Sequence, residues 1–360
     1  MASVMSIPGL PVGTPETHGR LLASTLAGSW RRHPSAVDIP VEKLKAIEPF
    51  LLHSGTAGLC WCRIRESPLK SSSSAHPFHQ TYRLQTLHAE IYDRQIEEAF
   101  RILRASGIDP ILGKGWAVAR HYPERGLRPS GDIDLYVHPE QHAMATAALQ
   151  GSSAPWDRVD LHSGISHLRD RAFGDVYDRS QLVHLGNTEV RVFGPEDHLK
   201  LLCIHTLGHG AWRPLWFCDI SVALESRSPD FDWEYFLSGA PRRSDWAACA
   251  IGLAHHLLGA DIDGTPLVNR TRQLPRWLVP TALRQWEEIK TPHGRRTPMA
   301  AYLKSPTGIL QALLLRWPNG IEATVRVGGP FNEMPRLPFQ VGECVARSAR
   351  FIATLPKLLK

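Results

Sequence analysis

The sequence predicts an α+β protein in which short β-type runs in the middle of the chain are flanked by helical regions. Three observations predict it. Apolar residues recur at helical spacing between residues 20 and 52 and between 77 and 106, contract to short runs between 108 and 193, and return to helical spacing beyond Gly194. Three units follow: a helical N-terminal region with a flexible lead-in and a Ser-rich linker over 1–76, a core over 77–194, and a helical C-terminal domain over 195–360. With 360 residues, 43% of them hydrophobic and 21% charged, the chain is globular and long enough to bury a sizeable core.

The formal charge of +6 comes from 41 basic and 35 acidic residues spread over the chain. A mild positive field attracts phosphorylated ligands. The sequence holds no dense Lys/Arg stripe interleaved with aromatics, so a nucleic-acid polymer is not indicated. Six cysteines without CxxC spacing read as reduced thiols. The N-terminus lacks a charged stretch followed by an apolar one, and no apolar run approaches the ~20 residues of a membrane span. The expectation is a cytoplasmic protein with no secretion signal and no membrane contact.

Taken in order, two helices are predicted within 20–52, the second running from Pro40 to Gly55 with Leu44, Ile47, Leu51 and Leu52 on one face. The segment SPLKSSSSAHP (67–77) reads as a polar linker. A long helix over 77–106 carries the apolar stripe Leu84, Leu87, Ile91, Ile96, Phe100 and Leu103, and is expected to back the sheet. Strands are predicted over 108–112, 132–137 and 156–162, with short helices over 116–121 and 139–150. A hairpin pairs 181–185 with 189–193 around Gly186 and Asn187. Beyond it, helices are predicted over 195–210, 215–225, 244–258, 281–289, 298–317 and 342–358; Pro195 opens the first, with Glu196 and Asp197 at the positive end of its dipole.

The chemistry concentrates between Ile111 and Val137. Asp132 and Asp134 sit at alternate positions of an apolar run, so on a strand both carboxylates project from one face. Two carboxylates so placed repel unless a cation lies between them, and hard oxygen ligands suit Mg²⁺. Asp160 in VDLH, on a neighbouring strand, completes a cluster able to hold two ions. The turn Gly113-Lys114-Gly115 presents free helix amides at the end of the first strand. Arg128 offers a bidentate phosphate clamp or, alternatively, a salt bridge that fixes its loop. His205 and His209, spaced i,i+4, are either metal ligands or polar groups of a wall facing the nucleotide. Asp219, set among Leu215, Trp216, Phe217 and Ile220, needs a partner, for which His205, His209 and Arg213 are the candidates.

The stretches GKGWAVARHYPERGLRPSGDIDLYV, VDLHSGI and PEDHLKLLCIHTLGHGAWRPLWFCDIS, in this order over residues 107–224, resemble the family of uncharacterised nucleotidyltransferases within the nucleotidyltransferase superfamily. The resemblance implies a mixed β-sheet of the DNA polymerase beta-like type. It implies further that Gly113, Lys114 and Gly115 line a triphosphate, that Asp132 and Asp134 bind metal, and that Asp160 is the third acid, ligating metal or taking the acceptor's proton. His205, His209 and Arg213 fall to the nucleotide's other wall. Gly208 and Ser163 depart from the family pattern without touching the acids. The implied function is Mg²⁺-dependent transfer of a nucleoside monophosphate from an NTP to a hydroxyl or phosphate acceptor, such as a small peptide or sugar, with release of pyrophosphate. The rival readings are a nucleotide-binding scaffold without turnover and a toxin-like transferase acting on a protein or tRNA.

Overall fold

The structure, a computed structural model, describes residues 17–129, 131–152, 156, 158–289 and 316–358. Most of the predicted lead-in, and all but the last two residues of the predicted 298–317 helix, lie outside them. Five strands, β1 (Ile111–Gly113), β2 (Ile133–Val137), β3 (Val159–Ser163), β4 (Gln181–Leu185) and β5 (Thr188–Val192), form one mixed sheet in the order β3-β2-β1-β5-β4. The β1–β5 and β2–β3 pairs are parallel, and β1–β2 and β4–β5 are antiparallel. The hairpin closes through Gly186 at φ 55°, the left-handed conformation that a tight turn needs and glycine adopts without strain.

Helices α1 (His18–Leu26), α2 (Val41–Ser54), α3 (Ala57–Ile64) and α4 (His76–Ala105) precede the sheet. The short helices α5 (Lys114–Ala119), α6 (His142–Gln150) and α7 (Phe173–Asp178) alternate with strands. After β5 come α8 (Pro195–Gly208), α9 (Pro214–Glu225), α10 (Trp233–Leu237), α11 (Pro241–Leu258), α12 (Val268–Arg272), α13 (Leu278–Trp286), α14 (Gly320–Arg326) and α15 (Leu337–Leu358). Among the described residues, no helix is long and apolar enough to cross a membrane.

Strand alternation divides the sheet's side chains between two cores. On one face Leu112, Ile133, Leu135, Val137, Val190 and Val192 pack on Ile96, Phe100 and Leu103 of α4 and Ala145 and Leu149 of α6. On the other, Ile111, Tyr136 and Phe193 meet Ile165, Leu168, Val176 and Leu201. Truncating Leu135 to alanine in the first of these costs about 2–5 kcal/mol. Only the C-terminal half of α4 backs the sheet: Leu84, Leu87 and Ile91 are 56%, 64% and 53% exposed. The N-terminal half of α4 instead buries Phe78, Gln85 and Ala89 and packs on α3 and the 125–127 turn, which leaves Leu84, Leu87 and Ile91 on its open face.

A third core joins residues of α1, α2 and α3 to residues of α8, α9, α11 and α13. The N-terminal helices therefore share a core with the C-terminal ones. Arg63 of α3 staples the chain entry by donating to the carbonyls of Ser24, Ser35 and Ala27. The Ser-rich segment is ordered as two 3₁₀ turns, Pro68–Ser71 and Ser73–Ala75, the first capped by the Ser67 hydroxyl. All six cysteines are free thiols, four of them buried.

Candidate active site

One end of the sheet, where β1 stops and β2 and β3 start, gathers the polar residues. The register sets Gly113 beside Asp134 and Asp134 beside Asp160, a row across three strands. Two residues on, Tyr136 is paired with His162. Residues two apart on a strand share a face, so Asp160 and His162 project together beside Asp134 and Tyr136. The rings of Tyr136 and His162 stack at 4.3 Å. Gly113 is glycine for a steric reason: a Cβ there would lie 2.8 Å from the rings of both Tyr136 and Phe193.

Lys114 follows at φ 47°, a left-handed conformation that costs a side-chain-bearing residue roughly 1–2 kcal/mol. The turn brings its ammonium onto Asp134 Oδ1 in an ion pair whose side chains are 13% and 9% exposed. His162 Nε2 lies 3.0 Å from the same Oδ1 and 3.3 Å from Asp160 Oδ2. Asp160 is more open, with 56% of its side chain exposed. Among the described residues, Asp134, Asp160 and His162 are the one group of three or more potential ligands whose donor atoms all lie within 4.8 Å of one another. Two carboxylates and an imidazole are a donor set that fits a divalent ion.

Asp132 lies one residue outside β2 and is exposed, so the predicted DxD pair is divided between a buried acid in the strand and an open one at its mouth. The structure brings Asp134 and Asp160 together, adds His162, and sets Asp132 where its charge acts on Arg213. Gly115 lies against this mouth: a Cβ on it would be 3.3 Å from the Asp132 carbonyl oxygen and 3.6 Å from Arg128 Nη1.

Arg128 is buried and forms a two-pronged pair with Asp219, Nε to Oδ1 at 3.2 Å and Nη2 to Oδ2 at 3.0 Å. Tyr122 donates to Oδ1 of the same carboxylate at 2.9 Å. Asp219 thus accepts hydrogen bonds from two residues that were not expected, because the loop after α5 runs directly over α9, while Arg213, one of the expected partners, lies near enough for its charge and that of Asp219 to act on each other. The loop is pinned further by Glu124, which accepts from Arg65 and Tyr82, and by Arg125, which pairs with Glu90 and Asp93. Of the two roles open to Arg128, its guanidinium serves the salt bridge that fixes the loop. Arg213 donates Nε to the Ser54 carbonyl at 2.8 Å. Burial and the charge of Arg128 push its pKa down to about 10, so it is a cation at neutral pH.

His205 and His209 sit at 4.5 Å between ring centroids, with Trp216 4.8 Å from His205 and His167 5.4 Å from it. They do not belong to the three-ligand group. Burial, with Lys114 nearby, pushes His167 down to about 3; burial, His209 and Lys114 hold His205 well below the usual histidine range. These two rings are neutral, and each has a buried Nδ1 with no hydrogen-bond partner among the described residues. Sequence reasoning missed His162, His167 and Tyr122. For His162 the signal was present, since D-x-H in VDLHS repeats on β3 the alternation of D-x-D.

Residues 50–259 match the family described as uncharacterised nucleotidyltransferase, a span that contains every strand, the acid pair and both walls of the site. No curated protein and no solved structure matches the chain. The family match covers more than half of the chain, in register with the geometry just described, and the chain belongs to the uncharacterised nucleotidyltransferase family.

Proposed function

We propose that the protein transfers a nucleoside monophosphate from an NTP to a hydroxyl or phosphate acceptor and releases pyrophosphate. One observation carries the reading: the buried Asp134 is flanked across neighbouring strands by Asp160 and by a glycine turn whose lysine reaches it. In this reaction an acceptor oxygen bonds to the α-phosphorus, the bond from that phosphorus to the β-bridging oxygen breaks, and pyrophosphate leaves with the electron pair. The proton of an acceptor hydroxyl passes to Asp160, the more exposed acid of the pair. Asp134 and Asp160, with Asp132 at the mouth for a second ion, would hold the Mg²⁺ that screens the triphosphate and polarises its α-phosphoryl oxygens. Lys114 and Arg213 add fixed positive charge for the β- and γ-phosphates. Arg128 acts as a positioning residue, holding its loop on Asp219. The wall of His205, His209 and Trp216 takes the nucleoside side. The NTP pool and the free thiols suit the cytoplasm.

The test is to incubate the protein with each NTP labelled at the α-phosphate and a lysate of its source, with Mg²⁺. The expected outcome is a labelled product that Asp134→Asn forms about 10³-fold more slowly, equivalent to ~4 kcal/mol of lost transition-state stabilisation. Labelling at an equal rate by that variant contradicts the proposal.

A further inference from the structure

We infer that His162 is itself a ligand of the ion, that the site prefers a nitrogen-accepting first-row divalent ion over Mg²⁺, and that Lys114 is the cation this ion displaces from Asp134. The inference rests on the proposed metal-dependent transfer and names the ion class for the same site.

The first support is geometric. Two ligand atoms each ~2.1 Å from one ion and at right angles are ~3.0 Å apart. His162 Nε2 is 3.0 Å from Asp134 Oδ1 and 3.3 Å from Asp160 Oδ2, so the nitrogen stands to both acids as a neighbouring ligand would. A single ring nitrogen carries at most one proton and serves one acceptor well. Nε2 hydrogen-bonds Asp134 Oδ1, and the second carboxylate oxygen converging on it, that of Asp160, describes a centre common to all three groups. The ring is held by stacking on Tyr136 at 4.3 Å and 20°, a contact that fixes its orientation without using Nε2.

The second support is the ligand chemistry. Mg²⁺ seeks oxygen ligands and gives up water reluctantly, whereas an imidazole raises affinity along the first-row series toward zinc. The third is Lys114. Its left-handed backbone places an ammonium on the acid that holds the ion, supplying one positive charge where a divalent ion supplies two. Ion entry releases that ammonium beside the turn, where the triphosphate is proposed to bind. Metal and nucleotide binding are thereby coupled through one side chain.

The experiment is a Mn²⁺ titration of the full, nucleotide-free chain followed by electron paramagnetic resonance, with pulsed spectra recorded for coupling to ¹⁴N. The wild type is expected to bind Mn²⁺ with a nitrogen coupling and to lose it only to Mg²⁺ in excess. His162→Gln is expected to abolish the coupling and weaken Mn²⁺ by at least the roughly 10–100-fold that loss of a supporting contact costs a metal site. His162→Asn, which keeps a hydrogen-bonding group near Asp134, serves as the second variant, and thermal melts confirm that both fold. Lys114→Met is expected to bind Mn²⁺ more tightly than the wild type. Mn²⁺ bound without nitrogen coupling, and equally by the His162 variants, overturns the inference, as does no binding by the wild type. The labelling assay, run in Mg²⁺ and again in Mn²⁺, then decides the transfer reading independently.

Discussion

Two clusters of charged side chains, one under α8 and one at the end of the sheet, are built differently. Beneath its first turn, Asp197 is paired with Arg171 and accepts from the Tyr235 hydroxyl, while Asp170 lies between Lys200 and Arg243. Arg171 also donates to the Tyr235 carbonyl at 2.5 Å, and Lys200 donates to the Ser238 carbonyl at 2.6 Å. Burial and the arginines beside it push Lys200 down to about 8. Here every acid meets a fixed base, and the cluster binds the segment after β3 to α8, α10 and α11. At the sheet's end, by contrast, Asp134 pairs with Lys114 and shares His162 with Asp160, and Asp160 and Asp132 face solvent. The first cluster is closed and structural. The second leaves acids open to something that enters from outside.

The comparison breaks most directly by removing one acid from each cluster. Asp134→Asn is expected to lower transfer by about 10³-fold with a smaller loss of stability than Asp197→Asn, read by label transfer and a thermal melt. Asp197→Asn should do the reverse. It leaves Arg171 buried beside a neutral group, a change that costs about 3–5 kcal/mol in a urea titration, with kcat of the folded fraction unchanged. Equal stability losses in the two variants would erase the distinction.

Arg128→Lys is intermediate, because a point charge cannot reproduce the two-pronged bond to Asp219. A loop set loose by ~1 Å lowers kcat/KM by up to about 10²-fold, and the effect should exceed any loss in NTP affinity measured by equilibrium titration. Stability also depends on pH. Burial holds His198 down to about 3, and burial with Arg120 holds His121 down to about 4. Above pH 6.5 both are neutral, folded or unfolded. Below it the unfolded chain gains protons that the folded chain refuses, so stability falls as pH drops from 6.5 toward 4, by up to about 1.4 kcal/mol per proton and pH unit. Urea midpoints that stay flat between pH 6.5 and 5 would contradict those two buried neutral rings.

The short apolar runs and the Gly186 turn made all five strands legible, because strand length and turn chemistry are local. The spacing from Gly113 to Asp134 to Asp160 likewise pointed to one end of one sheet. What local pattern could not supply was distance across the chain. Arg128 and Asp219 are 91 residues apart, and the nearby His205, His209 and Arg213 looked like better partners. Periodicity marked Leu84, Leu87 and Ile91 as a stripe, but it carries no information on how far a neighbour extends along the helix. For His162 the D-x-H alternation sets the imidazole on the face of Asp160, but that this face meets Asp134 depends on the pairing of β2 with β3, which is not local.

The most direct measurement is a crystal of the protein with Mn²⁺ and an NTP analogue that resists cleavage between the α- and β-phosphates, with anomalous scattering recorded at the manganese edge. The account predicts a peak bound by Asp134, Asp160 and His162, with the α-phosphate beside it and Lys114 turned from Asp134 to the triphosphate. A triphosphate bound elsewhere, or a manganese peak away from those three side chains, contradicts it.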